Sequence, residues 1–163
     1  MDLEVIEGNI CDSPEQYIAH QCNCVTDHAA GTAKSIFTRF PHADIYRLRS
    51  KRHEPTSEEQ LGNIVIKGDG LTDRFVINMM AQFFPGSPKF PDGRKDGKRT
   101  REAAFQECLN KIAVIPDLQS VAFPFKIGCN LGGGDWAVYR KMIKEFATQT
   151  GVKVRVYHLP ANV

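Results

Sequence analysis

No apolar run in this 163-residue chain approaches the ~20 residues that a membrane-spanning helix needs. No membrane partner is therefore expected. The amino-terminal Met1-Asp2-Leu3-Glu4 is acidic and the apolar stretch behind it is short. It has none of the features of a secretion signal, so a cytoplasmic or nuclear setting is expected. An excess of one charge is missing too. The 21 basic and 19 acidic residues leave +2, which gives no global pull toward nucleic acid, and no nucleic-acid partner is expected. The five cysteines (Cys11, Cys22, Cys24, Cys108, Cys129) are an odd number without paired zinc-knuckle spacing. A chain of this length buries a continuous core without staples, so reduced thiols follow. Neither an internal repeat nor a low-complexity segment interrupts residues 1–163, which read as one domain.

What is present is an alternation of short strand-like and longer helix-like segments. Leu3–Ile6 and Tyr17–Cys22 have strand composition, and Gly31–Phe40 has apolar residues at one-face helical spacing before Pro41 stops it. Ala43 to about Lys51 reads as a further helical piece. Asn63–Lys67 and Arg74–Asn78 flank the turn Gly68-Asp69-Gly70, a hairpin signal. After a polar loop from Pro85 to Lys98, Thr100–Ile115 is expected as a helix, Ser120–Phe125 as a strand, Trp136–Gln149 as a helix and Val152–Tyr157 as a last strand. This order predicts an α/β domain with helices on both faces of a mixed sheet and a ligand outside the carboxyl ends of the strands.

Two places carry the chemistry. Ile18-Ala19-His20-Gln21-Cys22-Asn23-Cys24 is a strand with polar groups at its end, and Ala29-Ala30-Gly31-Thr32-Ala33-Lys34 opens into a helix. Far along the chain, Val121-Ala122-Phe123-Pro124-Phe125 leads into Gly128-Cys129-Asn130-Leu131-Gly132-Gly133-Gly134 and a helix near Asp135-Trp136. A strand, a loop of small residues and a helix amino terminus together bring backbone N–H groups up to phosphate oxygens. Two such loops point to a ligand with two phosphates, or a phosphate and a sugar.

These stretches, with Glu7-Gly8-Asn9-Ile10 and the closing Val156-Tyr157-His158-Leu159, resemble the macrodomain family over nearly the whole chain. The resemblance implies a three-layer α/β/α fold around a central mixed sheet, and ADP-ribose or a derivative as ligand. ADP-ribosylated macromolecules are implied as further partners, with no cofactor or metal. The His-x-Cys-Asn-Cys stretch and the closing Val-Tyr-x-Leu are most similar to the stand-alone branch of ADP-ribose 1''-phosphate phosphatases and terminal ADP-ribose glycohydrolases. By that resemblance Asn9 and Ile10 sit at the adenine end, and Asn23 contacts the distal ribose. Ala30, Gly31, Thr32 and Ala33 hold the distal ribose and second phosphate. Gly128, Cys129, Asn130, Leu131, Gly132, Gly133 and Gly134 hold the pyrophosphate, and Leu159 closes the site. Gly132 stands where the glycohydrolases carry Asp, and no lysine matches their catalytic one near Met79-Met80. Phosphate release from ADP-ribose 1''-phosphate is therefore the expected reaction. A non-catalytic reader and a hydrolase acting on modified macromolecules are the alternatives.

Asn23, His20 and Asp135 are the candidates for the chemistry: Asn23 to orient substrate, and His20 or Asp135 to activate water. Each of the last two has a structural reading of equal standing. A histidine on a buried strand is often a satisfied core residue, and Asp before Trp136 is a favoured helix N-cap. Alternation places His20, Cys22 and Cys24 on one strand face, but with no fourth ligand in view they read as small buried side chains. Lys89, Arg94, Lys95, Lys98, Arg99 and Arg101, diluted by Asp92 and Asp96, read as a solvated loop, and Phe83 and Phe84 are candidate walls of the cleft.

Overall fold

A computed structural model describes residues 3–88, 90, 96–129 and 132–160. Six strands, β1 (Glu4–Glu7), β2 (Tyr17–Asn23), β3 (Ile64–Lys67), β4 (Val76–Gln82), β5 (Ser120–Pro124) and β6 (Lys153–His158), form one sheet in the order β1-β6-β5-β2-β4-β3. All neighbours are parallel except β3, which returns antiparallel to β4 through the expected hairpin. Three helices, α1 (Gly31–Arg39), α2 (Lys98–Ala113) and α3 (Trp136–Thr150), complete the domain.

The central strands are buried on both faces, and their alternation sorts the core in two. Ile18 and Cys22 of β2, with Val76 and Met80 of β4, pack beneath Ile36 and Phe37 of α1. Tyr17 and Ala19, with Ile77, Met79 and Ala81, face the other way. There they meet Phe105, Cys108, Leu109 and Ile112 of α2 and Tyr139, Ile143 and Phe146 of α3. A parallel sheet covered on both sides needs such near-continuous apolar strands. β2 feeds α1 on one face and its neighbour β5 feeds α3 on the other. The two connections diverge at the strand carboxyl ends and leave a crevice between them.

Helix ends follow their local chemistry. Asp135 caps α3, its Oδ1 accepting from the Ala137 N–H at 3.0 Å, and Gly151 closes the helix in the left-handed region at φ 70°. The expected helical piece over Ala43–Lys51 is not formed. A short 3-10 turn spans Pro41–Ala43, and Asp44 Oδ1 then accepts from the N–H groups of Tyr46 and Arg47 at 2.9 and 3.2 Å. That side-chain turn competes with a helix for the same donors, and Arg49 is drawn inward to Glu59. The basic loop also differs from expectation. Lys89, Arg94 and Lys95 lie outside the described residues. Arg101 and Asp96 are buried against one another rather than solvated.

Candidate functional site

The crevice at the ends of β2, β4 and β5 is lined on one side by Asn23, Thr26 and the start of α1 (Ala30–Ala33). Opposite lie Phe125, Lys126 and the Gly128–Gly132 turn, with Gln21 and Gln82 at its floor. Each wall is held by buried polar groups whose partners are all backbone or fixed side chains.

On the first wall, Asn23 Oδ1 accepts from the N–H groups of Val25 and Thr26 at 3.1 and 2.8 Å, folding the chain sharply after the strand. Asn23 lines the cleft, and its amide Nδ2 donor makes no hydrogen bond among the described residues. Arg49 braces the turn from behind, donating through Nη1 to the carbonyls of Asn23 and Thr26 at 3.1 and 3.0 Å. Its guanidinium lies 4.6 Å from the Tyr46 ring centroid and pairs with Glu59 at 2.8 Å from Nε. Burial pushes the Glu59 carboxyl up. The Thr56 N–H, His53 and Arg49 outweigh it and hold the group at about 2. The chain then enters α1 through Gly31 at φ 58°, and Ala30 offers no side-chain cap. The first N–H groups of α1 are therefore unspent and open to the cleft, the arrangement that favours an anion.

The second wall is a closed glycine turn. The Gly134 N–H donates to the Gly128 carbonyl at 2.9 Å, and a Cβ on Gly132 would stand only 2.6 Å from that carbonyl oxygen. No side chain fits there. Arg101 anchors the turn with Nη1 donating to the carbonyls of Gly132 and Gly86 at 3.1 and 2.7 Å, while Nε and Nη2 donate to Asp96 and Nη2 also to the Phe84 carbonyl. On the floor, Gln82 Nε2 donates to the Phe84 carbonyl at 2.9 Å and Gln82 Oε1 accepts from Gln21 Nε2 at 2.7 Å. That polarity fixes the Gln21 amide with Oε1 toward Gly128, where it is buried with no hydrogen-bond partner among the described residues. A hydroxyl or N–H donor reaching that point would satisfy it.

Among the residues singled out from the sequence, Asn23, Ala30, Gly31, Thr32, Ala33, Gly128 and Gly132 line the cleft. Asn130 and Leu131 lie outside the described residues. Cys129, Gly133 and Gly134 are in the second turn but do not line the cleft, and Cys129 Sγ rests against the Ile127 carbonyl at 3.2 Å. Burial pushes that thiol up to about 11, and Cys22 and Cys24 up to about 12, so none is a nucleophile at neutral pH. Asn9, Ile10 and Leu159 are not among the lining residues either. Asn9 Oδ1 accepts from the Cys11 N–H at 2.9 Å, which makes it a turn former, while Ile10 is buried beneath it.

Of the two expected water-activating groups, one is buried at the cleft floor and the other caps a helix. His20 reaches the cleft floor but is only 1% exposed, its Nε2 2.6 Å from Asn78 Oδ1 and its ring edge-on to Phe37 at 5.1 Å. Burial lowers its pKa to about 4, against the support of the Asn78 hydrogen bond, so the titration expected near pH 6–7 is not available to it. Asp135 is spent on capping α3 and does not line the cleft. Phe83 and Phe84 stack edge to face at 4.8 Å, and neither is part of the cleft wall. Gln21 and Gln82 were missed. The signal was there, because strict alternation in β2 turns Gln21 to the opposite face from His20, where only a site explains a polar residue.

Neither a family model nor a curated protein sequence matches the chain. Solved structures do. One is a protein of unknown function from Bacteroides thetaiotaomicron, with a TM-score of 0.74 at 24% identity over 98% of this chain and 99% of that one. A second is the macrodomain of Thermus aquaticus DarG, with a TM-score of 0.69 at 24% identity over 96% and 97% of the two chains. The fold is that of a macrodomain. A Trypanosoma brucei macrodomain in complex with ADP-ribose matches more distantly, with a TM-score of 0.59 at 14% identity over 94% of this chain and 62% of that one.

Proposed function

We propose that the crevice binds ADP-ribose. The observation that carries this reading is the pair of surfaces that line one cleft: the uncapped start of α1 at Gly31, and the loop whose Gly132 leaves no room for a Cβ. Two sets of fixed N–H groups across one cleft suit a diphosphate, whose charge they neutralise without any metal ion being required. Asn23 Nδ2 as donor and Gln21 Oε1 as acceptor suit the hydroxyls of a sugar next to it. The ligand-bound Trypanosoma neighbour supports the same assignment. Titration calorimetry with ADP-ribose, ADP and AMP tests it: one-to-one binding of ADP-ribose at roughly micromolar Kd, near −8 kcal/mol, is expected, weakening as the distal ribose and then the second phosphate are removed.

The second reading adds hydrolysis at the distal ribose, with ADP-ribose 1''-phosphate giving ADP-ribose and phosphate, or a modified macromolecule giving free ADP-ribose. One observation favours it. His28 lines the cleft beside Thr26, and its Nδ1 stands 2.9 Å from Asp27 Oδ1, so a carboxylate orients an accessible imidazole. Asn23 would hold the ribose while His28 accepts a proton from the attacking water. Side-by-side incubation with ADP-ribose 1''-phosphate and with an ADP-ribosylated protein, following phosphate and ADP-ribose, separates the two reactions from simple binding. A protein that binds ADP-ribose and releases nothing from either is a reader.

A further inference from the structure

Beside the cleft lies a second depression, which shares Thr26, His28 and Pro85 with it and extends to Val25, Asp27, Lys51, Arg52, His53 and Phe84. We infer that this annex is a subsite for a phosphate group carried by the substituent on the distal ribose. The inference rests on the ADP-ribose reading, which places that ribose next to Asn23 and α1, the end of the cleft that the annex adjoins.

Charge is what distinguishes the annex. The chain as a whole has a net +2, yet Arg47, Arg49, Lys51 and Arg52 fall within six consecutive residues. Their roles are different. Arg49 is committed to Glu59 and to the backbone of the Asn23 turn. His53 gives its Nε2 to Glu59 Oε1 at 2.7 Å, so Glu59 is saturated and offers no counter-charge to the annex. Among the described residues Asp27 is the one carboxylate on the annex wall, and His28 holds it at 2.9 Å. That contact, with Lys51 contributing from farther off, keeps the Asp27 carboxyl below its ordinary range. Lys51 and Arg52 remain, exposed, making no hydrogen bond or ion pair among the described residues. Two exposed cations line this depression beside one carboxylate that His28 already engages, and the surplus of positive charge favours an anion. Arg offers a fork matched to two phosphate oxygens, and Lys a mobile point charge.

The location fits a group that leaves the distal ribose. The annex meets the cleft at Thr26 and His28, next to Asn23 and the start of α1, and also at Pro85. Lys51 and Arg52 therefore discriminate between ligands that share the ADP-ribose moiety and differ in what hangs from it.

The test compares three ligands by displacement of labelled ADP-ribose: ADP-ribose, ADP-ribose 1''-phosphate, and ADP-ribose joined at C1'' to the 5'-phosphate of a short oligonucleotide. The wild-type chain is set against Lys51→Ala/Arg52→Ala at low and physiological salt. The wild type is expected to hold one or both phosphate-bearing ligands about tenfold more tightly than ADP-ribose, with the advantage shrinking as salt rises. The double variant is expected to bind ADP-ribose unchanged and to lose that advantage. A gain for both ligands identifies a terminal phosphate as sufficient, and a gain for the oligonucleotide alone identifies a phosphodiester. Equal binding of all three by the wild type, or an equal loss for all three in the variant, overturns the subsite. Failure of ADP-ribose itself to bind overturns the reading beneath it instead.

Discussion

Arg101 and Asp96 meet in a two-pronged contact, Nε to Oδ1 and Nη2 to Oδ2 at 2.9 Å each, with both side chains essentially inaccessible. The remaining guanidinium donors go to the carbonyls of Gly86, Gly132 and Phe84. One ion pair thus fixes three loop carbonyls around the glycine turn. Replacing Arg101 by Met removes the cation beside a buried carboxylate and the donors to three carbonyls, and a loss of about 3–5 kcal/mol in urea unfolding is expected. Arg101→Met with Asp96→Asn should recover part of that loss, because the buried charge is gone. ADP-ribose affinity should not recover, since the turn stays unanchored. Equal recovery of both would separate the pair from the site.

Gly31 sits in the left-handed region at φ 58° at the mouth of α1 and lines the cleft. Any L side chain there is strained by about 1–2 kcal/mol. Gly31→Ala isolates that strain and should bind ADP-ribose a few-fold more weakly. Gly31→Glu adds bulk and a negative charge among unspent N–H groups and should abolish binding in a protein that still unfolds cooperatively. Calorimetry showing equal affinity for the two variants would remove the α1 start from the ligand site.

Most of this architecture was legible in the sequence. The strands β1, β2, β3, β5 and β6 and the three helices fall within a few residues of their expected places, because each carries a strong apolar period and a clear stop such as Pro41 or Gly151. The glycine-containing loops announced themselves by composition. What stayed hidden depends on pairing across distance. Asp44 and Arg49 turn an apparently helical stretch into a brace because Glu59, ten residues past Arg49, receives the guanidinium. Arg101 reads as one more surface charge until Asp96 folds over it. His20 reads as a titrating group until Asn78 and Phe37, on other elements, enclose it.

That enclosure has a pH signature. The folded protein keeps His20 neutral down to about 4, whereas an imidazole in the unfolded chain takes a proton near its ordinary 6.5. Between those values the unfolded state binds more protons, so stability is full above about 6.5 and falls as pH drops toward 4. The contribution is on the order of 3 kcal/mol. Urea midpoints at pH 7.5 and 4.5 should move together less in His20→Gln than in the wild type. An identical pH dependence in the two proteins would mean that His20 is not the buried neutral group described here.

Asn23 allows its two roles to be taken apart. Its Oδ1 holds the turn by accepting from Val25 and Thr26, while Nδ2 is the donor left for a ligand. Asn23→Asp keeps an acceptor for both N–H groups and exchanges the donor for a negative oxygen. The turn should survive, with unfolding free energy within about 1 kcal/mol of wild type. Binding should fall at least tenfold, because a ribose hydroxyl loses its partner and a carboxylate now faces the diphosphate. Asn23→Ala loses both functions, so it should be less stable than Asn23→Asp while binding no better than a few-fold above it. If Asn23→Asp binds ADP-ribose as the wild type does, Nδ2 does not meet the ligand, and Asn23 serves only to shape the loop that leads into α1.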